Sequence, residues 1–206
     1  MHARSTTFHA NPEAIDAGIT YIRDDVWPAL QAMDGCVGLS MMVDRATGRC
    51  IATSAWTNQE AMWVAARRVR PFRDRAAEIM GADTAVDEWE IAYMHRDHPT
   101  SEGACVRATW MRMDPASMDR ALDIFRLASL PAMEDLPGFC SASMFIDRSR
   151  GRAVSSATYD SRETMMSSRE RAQELRTEGT REAGAEVTDV AEFELALAHL
   201  HVPEMA

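Results

Sequence analysis

His9 is the residue of this chain whose type and position most directly suggest chemistry, because it is the only histidine on a predicted core strand. An imidazole titrates near neutral pH, so it can act as a general base or hold a polar group of a ligand. A histidine that only hydrogen-bonds to its strand neighbours is the commoner alternative. We predict His9 as the catalytic candidate and leave that alternative open.

Two aromatic residues, Trp56 and Tyr159, each end a predicted strand at a point where a pocket could open. Together with Trp63 they could stack against a flat ligand, and Met41 and Met144 could line an adaptable apolar cavity around it. Ordinary core packing explains the same residues without any ligand. If they do form a site, its partner is a small apolar or aromatic molecule.

Histidine pairs with metal-like spacing occur at His95-x-x-His98 and His199-x-His201, but no cysteine or acidic pattern accompanies them. We therefore expect no metal site and no cofactor. The four cysteines show no CxxC spacing. We expect buried free thiols in a reducing compartment, with the cytoplasm as the default location. The chain also has no glycine-rich phosphate loop and no nucleophile elbow.

Charge and hydropathy narrow the classes of partner. The net charge is −10, which argues against nucleic acid, because binding to phosphates needs clustered lysine and arginine. No apolar run is long enough to cross a membrane, and the N-terminal residues lack the apolar centre of a secretion signal. Glu88, Glu90, Glu192 and Glu194 alternate along two predicted strands, where we expect pairing with arginine or exposure at a sheet edge.

The chain repeats itself at an offset of 103 residues, and this repeat defines the elements that must position the candidate side chains. Matched pairs include Arg4 and Arg107, Gly35 and Gly138, Gly48 and Gly151, and Gly81 and Gly184. After the last pair, one extra residue enters the second copy. A gap-free match of this length predicts a duplicated unit of about a hundred residues.

Each copy has the pattern of a strand, a helix, a hairpin, a second helix and a closing strand. Asn11-Pro12 and Asp114-Pro115 combine a capping side chain with proline at the first helical position, which is typical of a helix start. Thr57 to Glu60 has the spacing of a capping box, and Asp160 to Glu163 is the equivalent segment with Asp first. We expect Pro71 to break the second helix of the first copy into two pieces. The closing strands are predicted over residues 86–93 and 187–197.

The order β-α-β-β-α-β is the ferredoxin-like plan, so we predict an α+β protein with two tandem ferredoxin-like halves. The predicted domains are residues 1–94 and 105–206, joined by a polar linker at 95–104. A sheet of this plan has one bare face. We therefore expect the halves to cover each other as a fused dimeric α+β barrel, a pseudo-dimer within one chain that could also form a homodimer.

The hairpins and helix starts resemble those of the antibiotic biosynthesis monooxygenase family of dimeric α+β barrels. The resemblance is carried by Pro137-Gly138-Phe139 before the second hairpin, by Trp56-Thr57-Asn58-Gln59-Glu60-Ala61, and by Tyr159-Asp160-Ser161-Arg162-Glu163-Thr164. The family usually has Pro-Gly-Phe and Trp-x-Ser-x-x-Ala at these places, and both copies are covered. The resemblance is more specific for the fold than for the activity, because this scaffold hosts unrelated functions.

The resemblance implies a cofactor-independent monooxygenase that acts on a small aromatic or polyketide-like substrate without metal or flavin. Members of that kind use an Asn four residues before the Trp and a Tyr six residues after it. The corresponding residues here are Ala52 and Met62, and in the second copy Ser155 and Met165. The residue set of the haem-degrading members is absent, which disfavours haem degradation. A non-catalytic small-molecule-binding or stress-protective barrel stays open as the alternative.

The two copies differ at the candidate positions, since His9 corresponds to Arg112, Trp56 to Tyr159 and Trp63 to Met166. A duplicated protein with one working site would diverge in this way. We therefore expect at most one copy to keep a deep ligand cavity.

Overall fold

The computed structural model describes residues 1–200, which fall into two compact units. The first unit contains residues 1–90 and 195–200, and the second contains residues 91–194. Each unit combines an antiparallel sheet with helices, so the predicted α+β class is confirmed. The predicted domain boundaries at 94 and 105, and the fused arrangement of two ferredoxin-like halves, stay predictions.

The first unit is built around strand β1, which lies between two antiparallel neighbours. Its elements are β1 (His2–His9), α1 (Ile15–Tyr21), α2 (Trp27–Gln31), β2 (Cys36–Val43), β3 (Arg49–Trp56), α3 (Gln59–Met80) and the part of β4 (Asp83–Arg96) that ends at Glu90. In the register of the sheet, Ser5 faces Thr53 of β3 on one side and Asp87 of β4 on the other. Strands β2 and β3 form the hairpin.

The second unit has the same succession of elements around strand β5, except that two helices stand in the place of α3. They are β5 (Cys105–Arg112), α4 (Met118–Ile124), α5 (Leu130–Glu134), β6 (Phe139–Asp147), β7 (Arg152–Tyr159), α6 (Arg162–Ser167), α7 (Arg169–Ala183) and the part of β8 (Glu186–Leu200) that ends at Glu194. Arg107 of β5 faces Ala157 of β7 and Glu192 of β8. Both closing strands are longer than predicted.

The helix starts follow the predicted capping chemistry with one shift in position. Asn11 and Asp114 each directly precede a proline. The side chain of each accepts a hydrogen bond from the backbone N–H of the residue that follows the proline. The side chain that caps α3 is Asn58, which accepts from the Ala61 N–H at 2.8 Å. Ser161 has the same role for α6. The caps therefore lie one residue later than the predicted Thr57 and Asp160.

The expectation that Pro71 breaks the helix is wrong, because α3 continues from Gln59 to Met80 without interruption. Pro71 lies on the exposed side of the helix, while Met62 and Ala65 before it and Ala76 and Met80 after it are buried. Burial on both sides of the proline holds the helix together despite the missing backbone hydrogen bond. Among the described residues, no helix is long and apolar enough to span a bilayer.

The helix of the second unit is the one that is interrupted, at Ser168 between α6 and α7. The Ser168 hydroxyl donates to the Met165 carbonyl at 2.9 Å, and the Arg107 guanidinium donates to the same oxygen at 2.7 Å. A carbonyl that accepts from two side chains is drawn away from the regular helical bond, which explains the turn at this point.

Candidate functional site

A cavity lies in the second unit, between helices α4 and α7 and the face of strands β5, β6 and β7 that they cover. The volume of the cavity is about 100 Å³, counted as the space that the centre of a water molecule can occupy. One water needs roughly 10–15 Å³ on this measure, so the cavity could hold several waters or one small organic molecule. Most of its lining is apolar, with Met111, Leu122 and Phe125 among the larger side chains.

Small side chains on α7 and β7 create this space. At the same offset of 103 residues, Ala153, Ala172 and Ala183 of the cavity correspond to Cys50, Val69 and Met80 of the first unit. Met80 is fully buried there and packs against Gly18, where an added Cβ would lie 2.5 Å from the Met80 Cγ and Sδ atoms. In the second unit the Gly18–Met80 pair is replaced by Ala121 and Ala183. The equivalent volume is filled by protein in one unit and left open in the other.

Larger side chains at three further positions complete the packing of the first unit. Phe8, Trp56 and Phe72 take the places that Met111, Tyr159 and Leu175 occupy along the cavity. Phe8 and Trp56 are almost completely buried. The exchange of Trp56 for Tyr159 also brings a hydroxyl group to the cavity wall.

Arg107 is the polar centre of the site, with 5% of its side chain exposed. Its guanidinium donates to the Met165 carbonyl, to one Glu192 carboxylate oxygen at 3.0 Å, and to the Tyr159 hydroxyl at 3.4 Å. It also lies over the Tyr159 ring, 5.5 Å from the ring centre. These contacts fix both Arg107 and Tyr159 in place, as a preorganised binding site requires.

Arg176 of α7 is a second cation in the cavity wall, and its position differs from that of Arg107. Its side chain is half-buried and makes no hydrogen bond or ion pair with any other residue in the described range 1–200. Burial, and then the charge of Arg107, lower the pKa of Arg176, although a guanidinium stays protonated at neutral pH. A partly desolvated guanidinium without a partner favours an anionic oxygen on a ligand.

The carboxylate of Glu192 balances part of this positive charge. Burial alone would raise the pKa of Glu192, but hydrogen bonds from Arg169 and Arg107 outweigh it and hold the pKa below its usual value. Glu88 of the first unit has the same role, since it accepts from Arg4 at 2.6 Å and from the Trp63 indole at 3.0 Å. Pairing with arginine, predicted for these glutamates, is therefore found at Glu88 and Glu192.

Comparison with known proteins places the chain in a family. The Mycobacterium tuberculosis (strain H37Rv) protein "Uncharacterized protein Rv2557" is 55% identical over 205 residues, which cover 100% of this chain and 92% of the relative. The chain belongs to the family of this mycobacterial protein. No protein-family model matches the chain.

Solved structures share the fold at low sequence identity. "Putative monooxygenase (FN1347)" from Fusobacterium nucleatum superposes with a TM-score of 0.72 at 10% identity, covering 97% of this chain and 94% of the other. An "anthrone oxidase-like protein" superposes with a TM-score of 0.67 at 14% identity, covering 100% and 95%. These likenesses show that the family has a monooxygenase-like fold.

The structure brings two of the six predicted site residues to the cavity. Tyr159 and Met144 line it, whereas Trp56 and Met41 lie in the packed core of the first unit. Trp63 is 55% exposed on α3, and His9 is exposed at the end of β1, where it faces Arg49 and Asp83 in the sheet. Neither is among the residues that line the cavity. The role of His9 as a base stays a prediction.

The two arginines of the site were not predicted from the sequence. In the sequence, Arg107 stands out only as the repeat partner of Arg4. Arg176 lies in a charged segment with the pattern of a helix, where nothing distinguishes it from solvent-exposed arginines. The available signal for Arg107 was an arginine in the middle of an apolar strand, where a charge needs a partner. Of the histidine pairs, His95 stacks against Phe139 and His199 against Trp27, while His201 lies outside the described residues.

Proposed function

We propose that the cavity of the second unit binds a small, mostly apolar compound as its enolate or phenolate anion, and that the protein oxygenates this compound without a metal or flavin. The single observation that carries the proposal is Arg176, a half-buried guanidinium in the wall of a mostly apolar cavity, which makes no hydrogen bond or ion pair with another residue in the range 1–200. Charged groups of this kind favour the ionised form of a bound acid.

The size of the cavity supports a compound smaller than a polycyclic one. An apolar cavity of roughly 150 Å³ is enough to bind benzene in another protein, and the space here is of that order. A single ring or a short branched chain with one acidic oxygen therefore matches the site. The apolar wall would hold the carbon skeleton, and Arg176 would hold the oxygen, with the Tyr159 hydroxyl as a second donor.

Ionisation is the step that the site can promote. The compound loses its proton to solvent, and the resulting anion is rich in electrons at carbon. That carbon can form a bond to O2 and give a peroxide, which takes up a proton and loses water, so that one oxygen atom stays on the carbon. The monooxygenase-like fold agrees with this chemistry, although low-identity likeness carries only the fold.

We also infer a tandem duplication, supported by the repeat at an offset of 103 and by the common order of elements in the two units. The four free thiols support a reducing, cytoplasmic setting.

A non-catalytic binding protein is the second candidate function. It is favoured by the lining of the cavity, because none of the described lining residues is a histidine or carboxylate that could take a proton from the substrate. In that case the cavity would store or sequester the anion without turning it over.

Oxygen uptake with single-ring phenols and cyclic 1,3-diketones separates the two functions. We expect consumption of oxygen by the wild type and its loss in Arg176→Met, which removes the charge and keeps an apolar chain of similar reach. The matched control is Arg73→Met, the equivalent change in the first unit, which should leave the rate unchanged. Binding of the same compounds without oxygen uptake would favour the binding protein over the oxygenase.

A further inference from the structure

We propose that His98, Cys140 and Asp160 of the second unit form a binding site for one divalent transition-metal ion of the zinc type. This site is separate from the cavity. The sequence analysis predicted no metal site. It could not bring these three residues together, because they are far apart in the chain.

The three potential ligand atoms already have the spacing of a metal site. One imidazole nitrogen, the thiol sulfur and one carboxylate oxygen all lie within 4.8 Å of one another. The Cys140 sulfur is 3.3 Å from Asp160 Oδ1, and His98 Nε2 is 3.8 Å from the same oxygen. Zinc bonds of about 2.0–2.3 Å in a tetrahedral arrangement place ligand atoms roughly 3.3–3.8 Å apart. The two distances to Asp160 are close to this range, and the His98 and Cys140 atoms, which lie within 4.8 Å, would move by no more than about 1 Å to close around an ion.

His98 is oriented as a metal ligand usually is. Its Nδ1 atom lies 3.0 Å from the Pro99 carbonyl, which can only accept a hydrogen bond, so this nitrogen carries the proton. In the neutral imidazole the lone pair is then on Nε2, the atom that faces Asp160, and a bound ion would displace any proton from it. Histidines that bind metals typically donate their other ring N–H to a carbonyl or carboxylate in this way.

A β-bulge directs Cys140 to the site. The register between β6 and β7 shifts between Phe139 and Ser141, which makes Cys140 the extra residue. Bulges change the direction of a side chain relative to a regular strand. Cys140 is buried but is not part of the apolar core cluster of its unit.

Backbone hydrogen bonds hold the three ligands in place. The Asp97 N–H donates to the Cys140 carbonyl at 2.9 Å, which fixes the segment that carries His98 against β6. The Asp160 N–H donates to the Gly138 carbonyl at 2.8 Å, which fixes the end of β7. His98 lies in the bend that follows β4, and these hydrogen bonds tie that bend and the end of β7 to β6.

The first unit has the same frame without the ligands. Its bulge lies between Cys36 and Gly38, and the Thr57 N–H donates to the Gly35 carbonyl at 2.8 Å. At the offset of 103 residues, Val37 stands for Cys140 and Thr57 for Asp160. The frame therefore does not itself require a thiol and a carboxylate at these positions.

The ligand set selects the type of ion. A thiolate, an imidazole and one carboxylate suit zinc and similar transition metals, whereas magnesium and calcium prefer oxygen ligands only. Binding would displace the Cys140 proton to solvent. His98 and Asp160 are half exposed, so water can complete the fourth position. The ion would fasten the segment after β4 to the β6–β7 hairpin.

Titration of the metal-free full-length chain with Co²⁺ and Zn²⁺ tests the proposal. We expect one equivalent of Co²⁺ to give a near-ultraviolet thiolate-to-cobalt band that one equivalent of Zn²⁺ abolishes. Cys140→Ser should remove the band, and Asp160→Asn should weaken binding by more than about 10-fold. Cys36→Ser, which changes another thiol of the chain, should keep both the band and the affinity.

Circular dichroism of each variant distinguishes lost ligands from lost folding. The half-exposed Asp160→Asn keeps the test valid even if Cys140→Ser does not fold. Absence of a cobalt band in the folded wild type would overturn the proposal. A band that survives in folded Cys140→Ser, or Co²⁺ affinity unchanged in Asp160→Asn, would also overturn it.

Discussion

Arg107 links three parts of the second unit through one guanidinium group. It bonds the end of α6 through the Met165 carbonyl, β8 through Glu192, and β7 through the Tyr159 hydroxyl. Arg4 makes the first two of these contacts in the first unit, with the Met62 carbonyl and Glu88. The third contact needs a tyrosine, and Trp56 stands there instead. The arginine that joins these elements in one unit thus also lines the cavity in the other.

The pairing of Glu192 predicts how stability depends on pH. Because its pKa is lower in the folded protein than the usual value of 4.5, Glu192 stabilises the fold above that pH. This contribution is lost as the pH falls through the folded pKa. We expect Glu192→Gln to lower the free energy of unfolding by about 1 kcal/mol at pH 7. The difference from the wild type should shrink as the pH falls towards about 3, as measured by urea denaturation.

Glu174→Gln is the control for this measurement, since Glu174 pairs with Arg171 on an exposed helix face. Surface pairs of this kind contribute little, so we expect less than about 0.5 kcal/mol and no change with pH. A Glu192→Gln difference that stayed constant from pH 7 to pH 3 would contradict the role given to its pairing.

At the scale of elements, the long helices of the two units differ in a way that their prolines do not predict. Helix α3 contains Pro71 and is continuous, whereas α6 and α7 contain no proline and are separated at Ser168. The first unit has Ala65 at the position of Ser168, so its Met62 carbonyl receives Arg4 but no hydroxyl. Side-chain hydrogen bonds to one carbonyl therefore decide where the helix is interrupted.

Reciprocal substitutions at Pro71 and at its equivalent, Glu174, measure what a proline costs in each of these helices. Pro71→Ala should raise the free energy of unfolding by about 1–3 kcal/mol, because it restores one backbone hydrogen bond in an exposed position. Glu174→Pro, at the equivalent position of α7, should lower it by about 3 kcal/mol. Chemical denaturation measures both changes. A loss of stability in Pro71→Ala would show that the rigidity of the proline is worth more than the hydrogen bond.

The elements could be predicted well from the sequence, and the site only in part. Capping side chains, hairpin glycines and apolar periodicity act locally. The sequence therefore predicts the helix start at Asn11 and the hairpin turns at Gly48 and Gly151. The cavity depends on the sizes of side chains that come together from distant parts of the chain, such as Ala121 and Ala183. Local sequence patterns do not predict which side chains meet in this way. Tyr159 was predicted because it ends a strand, and Arg176 was missed because helical arginines are usually solvated.

At the scale of the whole molecule, one succession of elements occurs in two units with different interiors. The first unit fills its interior with Met80, Phe8 and Trp56, and the second leaves a cavity between Ala183, Met111 and Tyr159. The difference agrees with the proposed ligand site, since the described part of the first unit is packed where the second has its cavity. Differences in the volumes of a few side chains are enough to produce these two interiors.

Transfer of the first unit's packing into the second gives a direct control. The double substitution Ala121→Gly with Ala183→Met reproduces the Gly18–Met80 pair, and it should fill the cavity. Added apolar contacts and the extra glycine act in opposite directions, so we expect the free energy of unfolding to change by no more than about 1 kcal/mol. The variant should therefore be folded but closed to ligands.

Binding of 4-nitrophenol, followed by its visible absorbance, tests the central claim most directly, because the colour reports whether the phenol is ionised. At a pH where the free compound is mostly neutral, we predict that the wild type binds it as the yellow phenolate. Arg176→Met should weaken binding by at least about 10-fold, the double variant should abolish it, and Arg73→Met should match the wild type. Binding as the neutral phenol, or binding that Arg176→Met and the double variant leave unchanged, would contradict an anion site in the second unit.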